Sequence, residues 1–420
     1  MLKDIVFYVF AVIAIVNTIH FGMYIAGANI YDIVHLFKKR QPKQVIKARK
    51  RPLVSVIIPA HNEEKGIVKT LDSVRKSSHR KLQIIVVDDA STDATRSLVW
   101  QYIKKYPNRD IHLLRKQTNV GKGEAMNHAL KRMATGDLVM TLDADSVIAK
   151  DAIKNAVQHF EQDPTLVGLA ANVQVEDNGT ILSLVQKFEH MIGYRSKKFY
   201  TLTNSEFIIG GVASTYRREA IKAVGYYDTD TQTEDIGLSM KLMSKGNLEQ
   251  RIIYASDVLA MTQGVQTYKS LFRQRYRWKL GMLQNLIKYG NMIGNNDAIY
   301  SRMLTIYRLP LAVFSEFVLL VEPLLLAYIV YLSIINQNPM SIFWAYIVIT
   351  LYVLWTLWPD EHLNWRAKAR LSGYAPIMYF AFYIMNAVQL VSILRCLKDY
   401  PKMFRKVQTG GAWVSPERAS

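Results

Sequence analysis

The sequence predicts a cytoplasmic α/β domain built on a mostly parallel sheet and flanked by transmembrane and interfacial helices. Three observations carry that prediction. From Leu53 onward, short β-branched runs alternate with amphipathic segments, the pattern of strands covered on both faces by helices. Each of those runs ends in polar or acidic residues, at the edge where such sheets collect ligands. Two nearly uncharged stretches, Leu2 to Val34 and, in blocks, Leu309 to Leu394, bracket the domain.

Composition agrees with a membrane chain. Of 420 residues 50% are hydrophobic and only 21% charged, which is rich for a soluble protein. The net charge of +19 could suggest nucleic acid. The basic residues, however, gather beside the apolar blocks, at Lys38-Lys39-Arg40, Lys47 to Arg51 and Arg366 to Arg370. That is the positive-inside pattern, so membrane lipid is the expected partner and nucleic acid is not. The single cysteine, Cys396, excludes an intramolecular disulfide and a cysteine-built zinc site. The chain divides into an N-terminal transmembrane helix (1–36), a basic linker (37–52), the α/β domain (53–264), interfacial helices (265–300), a transmembrane region (301–396) and a basic tail (397–420).

The first apolar block, Ile5 to Val34, exceeds the roughly 20 residues that cross a bilayer. Its positive residues follow it, which fits an uncleaved span and a multi-pass protein with the domain in the cytoplasm better than a signal peptide. Val54 to Pro59 then reads as a strand, Gly66 to Lys76 as a helix, Leu82 to Val87 as a strand, Ala94 to Tyr106 as a helix and Asp110 to Leu114 as a strand. A helix from Gly123 to Ala134 leads into the strand before Asp143.

The strand ends supply the chemistry. Asp143 and Asp145, one residue apart at the end of an apolar strand, can point into one crevice. Two carboxylates there repel unless a cation lies between them. Mg²⁺ or Mn²⁺ suits the place, since such ions take few carboxylates and share their other sites with phosphate oxygens and water. The other edges are Pro59-Ala-His-Asn-Glu-Glu64, Asp88-Asp-Ala-Ser-Thr-Asp93 and Asn119-Val-Gly-Lys122. Acids there suit a base imide and ribose hydroxyls, while Gly121, Lys122 and a helix start suit phosphate. The implied ligand is a nucleoside diphosphate held by a metal; between Asp88 and Asp89 the pattern does not choose.

The ordered set of these motifs with Thr233-Glu-Asp235 and Gln274-Arg-Tyr-Arg-Trp278 resembles the family 2 glycosyltransferases of GT-A fold, in their membrane-integrated processive branch. That branch includes cellulose, chitin and hyaluronan synthases and bacterial poly-N-acetylglucosamine synthases. The tail Trp413-Val-Ser-Pro-Glu-Arg418 is similar to that of the poly-β-1,6-N-acetylglucosamine synthases. The resemblance implies that Asn62, Glu63 and Asp89 hold uridine with Pro59 beside them, and that Lys122 lies near the nucleotide. It implies that Asp143 and Asp145 hold the metal and diphosphate, with Asp143 also reaching the donor sugar. It further implies a UDP-sugar donor, a growing polysaccharide, foremost of N-acetylglucosamine, that is passed across the membrane, and room for a small membrane accessory subunit; the alternatives are a non-processive transferase to a polyprenyl-phosphate acceptor, or a synthase of another polymer such as hyaluronan, chitin or a cellulose-like chain.

The second half carries the acceptor side. Val167 to Val175 reads as a strand, and Ile181 to Tyr200 as a helix whose His190 is structural. Gly210 and Gly211 follow an apolar run and allow close approach of backbone or ligand; by resemblance they lie beside the acceptor sugar, as do Glu234, Gln274 and Trp278. Asp235, at the start of a helix from Ile236 to Lys245, is either a cap or the base that takes the acceptor proton, and the motif match favours the base. A single base implies direct displacement with inversion. Arg277 can stabilise the departing diphosphate, and Trp278 offers a flat face to a pyranose.

In the last third, Leu309 to Ile335 contains Pro323 and the costly intramembrane carboxylates Glu316 and Glu322, followed by Ile342 to Trp358 and Tyr374 to Leu394. If each block crosses once, Lys398, Lys402, Arg405 and Lys406 lie outside, against the positive-inside rule. The reading that keeps the tail cytoplasmic places the last block in the interface or as a re-entrant segment.

Overall fold

The computed structural model describes residues 2–40 and 51–404. Arg405, Lys406, the tryptophan-containing tail from Trp413 to Arg418 and most of the Lys47 to Arg51 run lie outside the described residues. Helix α1 (Leu2–Arg40) opens the chain, and Phe7–Phe37 within it is long and apolar enough to cross a membrane.

The α/β domain follows in the expected order: β1 (Val54–Ala60), α2 (Ile67–Arg75), β2 (Leu82–Asp89), α3 (Thr95–Lys105), β3 (Ile111–Lys116), α4 (Lys122–Arg132) and β4 (Leu138–Thr141). β1 alternates Val54, Val56 and Ile58 toward one apolar layer with Ile57 toward the other. α2 buries Ile67, Thr70, Leu71 and Val74, the spacing of one helical face. Strand β2 runs through Asp88 and Asp89, further than the sequence suggests, because parallel pairing with β3 continues to Asp89 opposite Lys116.

β5 (Val147–Ile148), α5 (Ala152–Gln162), β6 (Leu166–Val175), α6 (Ile181–Leu202), β7 (Ser214–Arg217), α7 (Arg218–Ala223), α8 (Glu234–Met243) and β8 (Arg251–Thr262) complete the domain. The strands form one 8-stranded sheet in the order β3-β2-β1-β4-β7-β6-β8-β5. Its first half is wholly parallel. β7 then runs antiparallel between β4 and β6, and β5 antiparallel to β8. This reversal positions the site. Thr141 at the end of β4 pairs with Ser214 at the start of β7, so the loop holding Gly210 and Gly211 enters beside the turn holding Asp143 and Asp145.

α9 (Tyr268–Lys288) leaves the domain, and a π-helical turn, Met303–Arg308, runs into α10 (Leu309–Ile335). α11 (Met340–Leu357), α12 (Trp365–Ser372), α13 (Ala375–Lys398) and α14 (Pro401–Phe404) end the described chain. Met303–Ile335 and Ala375–Lys398 are long and apolar enough to cross a membrane, and Ile342–Leu357 is a shorter apolar helix. Pro323 lies inside an unbroken α10. Ala375, Met378 and Ala381 of α13 share an apolar cluster with Leu182 and Val185 of α6 and Leu271 of α9. At its other end Asp399 accepts a hydrogen bond from Tyr276 of α9 at 2.8 Å.

Candidate active site

β4 stops at Thr141, so Asp143 and Asp145 sit on the turn that follows and not on the strand itself. The turn is closed by the Ser146 N–H donating to the Asp143 carbonyl at 3.0 Å. The Ser146 hydroxyl donates to Asp145 Oδ1 at 3.0 Å. Both aspartates line one cavity of about 1260 Å³.

Lys122 opens α4 directly after Gly121, whose φ of 86° is a conformation that suits glycine. Its ammonium crosses the cavity to Asp143, 2.6 Å away, and to Glu234, 3.5 Å away. Burial works against that charge, but Asp143, Glu234 and Asp235 together hold the Lys122 pKa above the ordinary lysine value. Gly211 threads through this cluster. A Cβ there would stand 2.7 Å from the Lys122 ammonium, 3.6 Å from Asp235 Oδ2 and 3.8 Å from Asp143 Oδ1, so a side chain would displace the charges. Gly210 lines the same cavity, its carbonyl held by the Ser214 hydroxyl.

Asp235 does not occupy the cap position of α8. That position is Thr233, and Asp235 lies within the first turn, its Oδ1 accepting from the Ile236 N–H at 2.8 Å. Burial, aided by Glu234, pushes the Asp235 carboxyl up to about 6, against the pull of Lys122 and Arg277. Helix α9 is packed hard against this turn. Gly281 makes the approach possible, since a Cβ there would meet the Thr233 side chain at 2.4 Å and its backbone nitrogen at 2.8 Å. Asn285 donates to the Thr233 carbonyl at 3.2 Å, and Gln284 accepts from the Gln232 N–H at 2.8 Å. The same helix thereby brings Gln274, Arg277 and Trp278 to the cavity that Asp235 lines. Gln274 Oε1 is buried and has no hydrogen-bond partner among the described residues.

The residues read for the nucleotide fall in two groups. Glu63 lines the cavity, whereas Pro59, Asn62 and Asp89 do not. Pro59 is buried within β1, paired with Val87. Asn62 is exposed at positive φ, and its Oδ1 accepts from the Thr92 N–H at 2.8 Å, which links the β1 and β2 edges. Asp89 accepts from the backbone N–H groups of Val120 (3.0 Å) and Gly121 (2.9 Å). Burial pushes its carboxyl up and those two bonds oppose the shift. Asp89 therefore anchors the loop that aims Lys122, with its carboxylate turned to the backbone. Asp88 accepts from the Ser91 N–H at 3.0 Å.

Among the described residues no group of three or more His, Cys, Asp or Glu side chains forms a metal cage. The donor set of Asp143 and Asp145 beside an open cavity fits a hard ion that draws its remaining ligands from substrate. The Lys122 ammonium adds a positive charge 2.6 Å from Asp143.

Other residues complete the cavity, and of these Glu189 and Gln389 were not singled out in the sequence. Glu189 of α6 holds Arg275 at 2.6 Å, and Arg275 lies over the Trp278 ring at 4.3 Å from its centroid. Burial pushes the Glu189 carboxyl up, with Arg275 opposing. His190 also lines the cavity, and burial lowers its imidazole to about 4, so it is neutral there as a structural residue would be. At the far end Lys279 pairs with Glu316 of α10 at 2.8 Å, and both line the cavity with Gln389 of α13. Glu322 accepts from Asn386 at 2.7 Å. Both carboxylates thus face neighbouring helices.

Residues 55–225 match the family model described as glycosyl transferase family 2. The chain is 33% identical over 237 residues to the poly-beta-1,6-N-acetyl-D-glucosamine synthase of Staphylococcus aureus strain COL, covering 56% of each. It is 30% identical over 264 residues to the synthase of that name from Staphylococcus epidermidis, covering 61% of this chain and 62% of the relative. The matches thus span under two thirds of these relatives' length. A mannosyltransferase from Pyrobaculum calidifontis, solved with GDP-Man and Mn²⁺, superposes with a TM-score of 0.56 at 22% identity, covering 93% of this chain and 99% of that one. This likeness shows the fold, which is GT-A.

Proposed function

We propose that this chain, which carries a family 2 glycosyltransferase domain at residues 55–225, is a processive, inverting transferase that polymerises N-acetylglucosamine from UDP-N-acetylglucosamine and passes the polymer through the membrane. The observation that carries the reading is the continuity of one cavity. It runs from Lys122, Asp143 and Asp145 past Asp235 and Trp278 to Glu316 and Gln389 on the apolar helices α10 and α13. A cavity that continues from the site into the membrane helices gives a lengthening acceptor a way out, which supports the polymer reading over transfer of one sugar to a soluble acceptor.

In this mechanism the acceptor hydroxyl lies over Gly210 and Gly211 and attacks the anomeric carbon of the donor. The new C–O bond forms as the bond to the diphosphate breaks, the hydroxyl proton passes to Asp235, and UDP leaves with both electrons of the broken bond. Arg277 stands where it can meet the charge growing on the diphosphate. Asp143 and Asp145 would hold Mg²⁺ or Mn²⁺, which supplies charge neutralisation for the leaving group. Glu63 and Lys122 orient the nucleotide, and Asp89 and Asn62 hold the loops that carry them. Glu234, beside Lys122, and Gln274, with its free buried oxygen, contact the acceptor, whose terminal ring stacks on Trp278. The identities of 33% and 30% with the staphylococcal synthases support N-acetylglucosamine as the sugar and a β-1,6 linkage.

The orientation proposed is a cytoplasmic domain with α1 and α10 crossing the inner membrane. The contacts of both ends of α13 with α6 and α9 favour a helix that returns toward the domain, which leaves Lys398 and Lys402 in the cytoplasm. Incubation of membranes holding the chain with a panel of UDP-sugars, with UDP release as the readout, tests the donor. Release with UDP-N-acetylglucosamine well above the other donors is expected; a preference for another donor refutes the sugar assignment.

A further inference from the structure

Lys197 is a buried cation without a task in the mechanism above. It projects from α6 with its side chain 18% exposed, and it lines the cavity beside Gly210 and Gly211. Its ammonium donates to the Ile208 carbonyl at 2.5 Å and meets Glu206 Oε1 at 3.2 Å. Glu206, only 2% exposed, accepts in turn from the backbone N–H groups of Phe207 (3.0 Å) and Ile208 (2.8 Å). From the membrane side, Arg308 lies over the Phe207 ring at 5.0 Å from its centroid. The strand of chain that delivers Gly210 and Gly211 is therefore fixed on one side by a charge pair and on the other by a membrane-helix arginine.

A buried charge pair is a weak reason for stability, because apolar residues of similar size often do as well or better. An ammonium also carries three donors. Lys197 uses two on Ile208 and Glu206, which leaves one for the cavity that it lines, at the place where the acceptor is read to lie. We propose that Lys197 is an acceptor-binding residue, donating a hydrogen bond to a hydroxyl or ring oxygen of the saccharide that sits over Gly210 and Gly211. The ligand class is a neutral saccharide with free hydroxyls, and the inference rests on the acceptor placement given under the proposed function. Glu206 is the positioning residue that holds both the ammonium and the loop.

The experiment uses the full chain in lipid nanodiscs with UDP and a β-linked N-acetylglucosamine oligosaccharide as separate probes. Lysines are reductively methylated with and without each probe and quantified by mass spectrometry; burial, which lowers the Lys197 pKa, leaves more of the reactive amine. Lys197 is expected to be protected by the oligosaccharide and not by UDP alone. Lys197→Met should raise the oligosaccharide KM about tenfold or more, the loss of one charge-assisted hydrogen bond, with the Kd for UDP held within about twofold, and Lys197→Arg should recover part of the loss. Labelling indifferent to the oligosaccharide, or Lys197→Met with an unchanged acceptor KM, overturns the proposal. If Lys197→Met also loses UDP affinity, the labelling of the unmutated protein decides alone. Failure of the unmutated protein to bind or extend the oligosaccharide at all contradicts the polymer reading itself, which the UDP-release assay detects separately.

Discussion

The guanidinium of Arg275 lies 4.3 Å from the centroid of the Trp278 ring and is fixed there by Glu189 at 2.6 Å. One face of the indole is therefore already covered by a cation, and the ring has a single face left for a sugar. A tryptophan held this way is a rigid platform, and its rigidity depends on a carboxylate from a different part of the chain.

Trp278→Ala should shorten the product while leaving UDP affinity near normal, because stacking contributes to the acceptor and not to the nucleotide. Glu189→Gln should push in the same direction more weakly, with an acceptor KM raised roughly two- to thirtyfold, the worth of a partly desolvated cation–aromatic contact. A gel of product lengths and a UDP titration check both. A parallel loss of UDP affinity would assign Trp278 to the fold instead.

Asp145→Asn and EDTA should each abolish turnover, and added Mn²⁺ or Mg²⁺ should reverse the chelator but not the substitution. Turnover that persists in EDTA removes the metal from the account.

Asp235 must be ionised to take a proton, and its carboxyl is pushed up to about 6. Transfer should therefore fall as pH drops through about 6, while UDP binding changes less. The raised value means that this group favours the folded state below its unfolded pKa, near 3.8, and loses that contribution as pH rises through about 6. The acid loss of activity is then not unfolding caused by Asp235. Asp235→Asn should lower transfer by about two orders of magnitude or more at pH 7, and a variant near full rate would return the residue to a structural role.

Lys279 and Glu316 are both largely buried where α9 meets α10. Glu316→Ala alone leaves a stranded cation and should cost about 3 kcal/mol or more. Lys279→Met combined with Glu316→Leu should recover most of that stability in thermal unfolding, since an apolar pair replaces an ionic one. A double variant no more stable than Glu316→Ala would show that the two charges are not coupled.

The sequence made the parallel half of the sheet readable because its strands and helices alternate locally and each motif closes a strand. Asp143, Asp145 and Lys122 could be singled out for the same reason, as residue types near strand ends and helix starts, and Asp235 through its motif; all four line one cavity. The antiparallel insertion of β7 was not, since it depends on a pairing between Thr141 and Ser214 that no local pattern encodes. Asp89 shows a second limit: a motif supplies the acid, but only the fold turns its carboxylate toward the Val120 and Gly121 amides. Glu189, Lys197 and Glu206 lie in stretches that read as ordinary helix and loop. Their placement at or beside the cavity comes from partners brought together by packing, as with Glu189 and Arg275, 86 residues apart.

The central claim is that the site extends a chain along the cavity into the membrane helices. Its most direct test is the size of the product that membranes holding the full chain make from UDP-N-acetylglucosamine with Mn²⁺ or Mg²⁺. The account predicts a long polymer, present even at low conversion and degraded by a hydrolase specific for β-linked N-acetylglucosamine. A product that carries one sugar on a lipid and is never extended would contradict it.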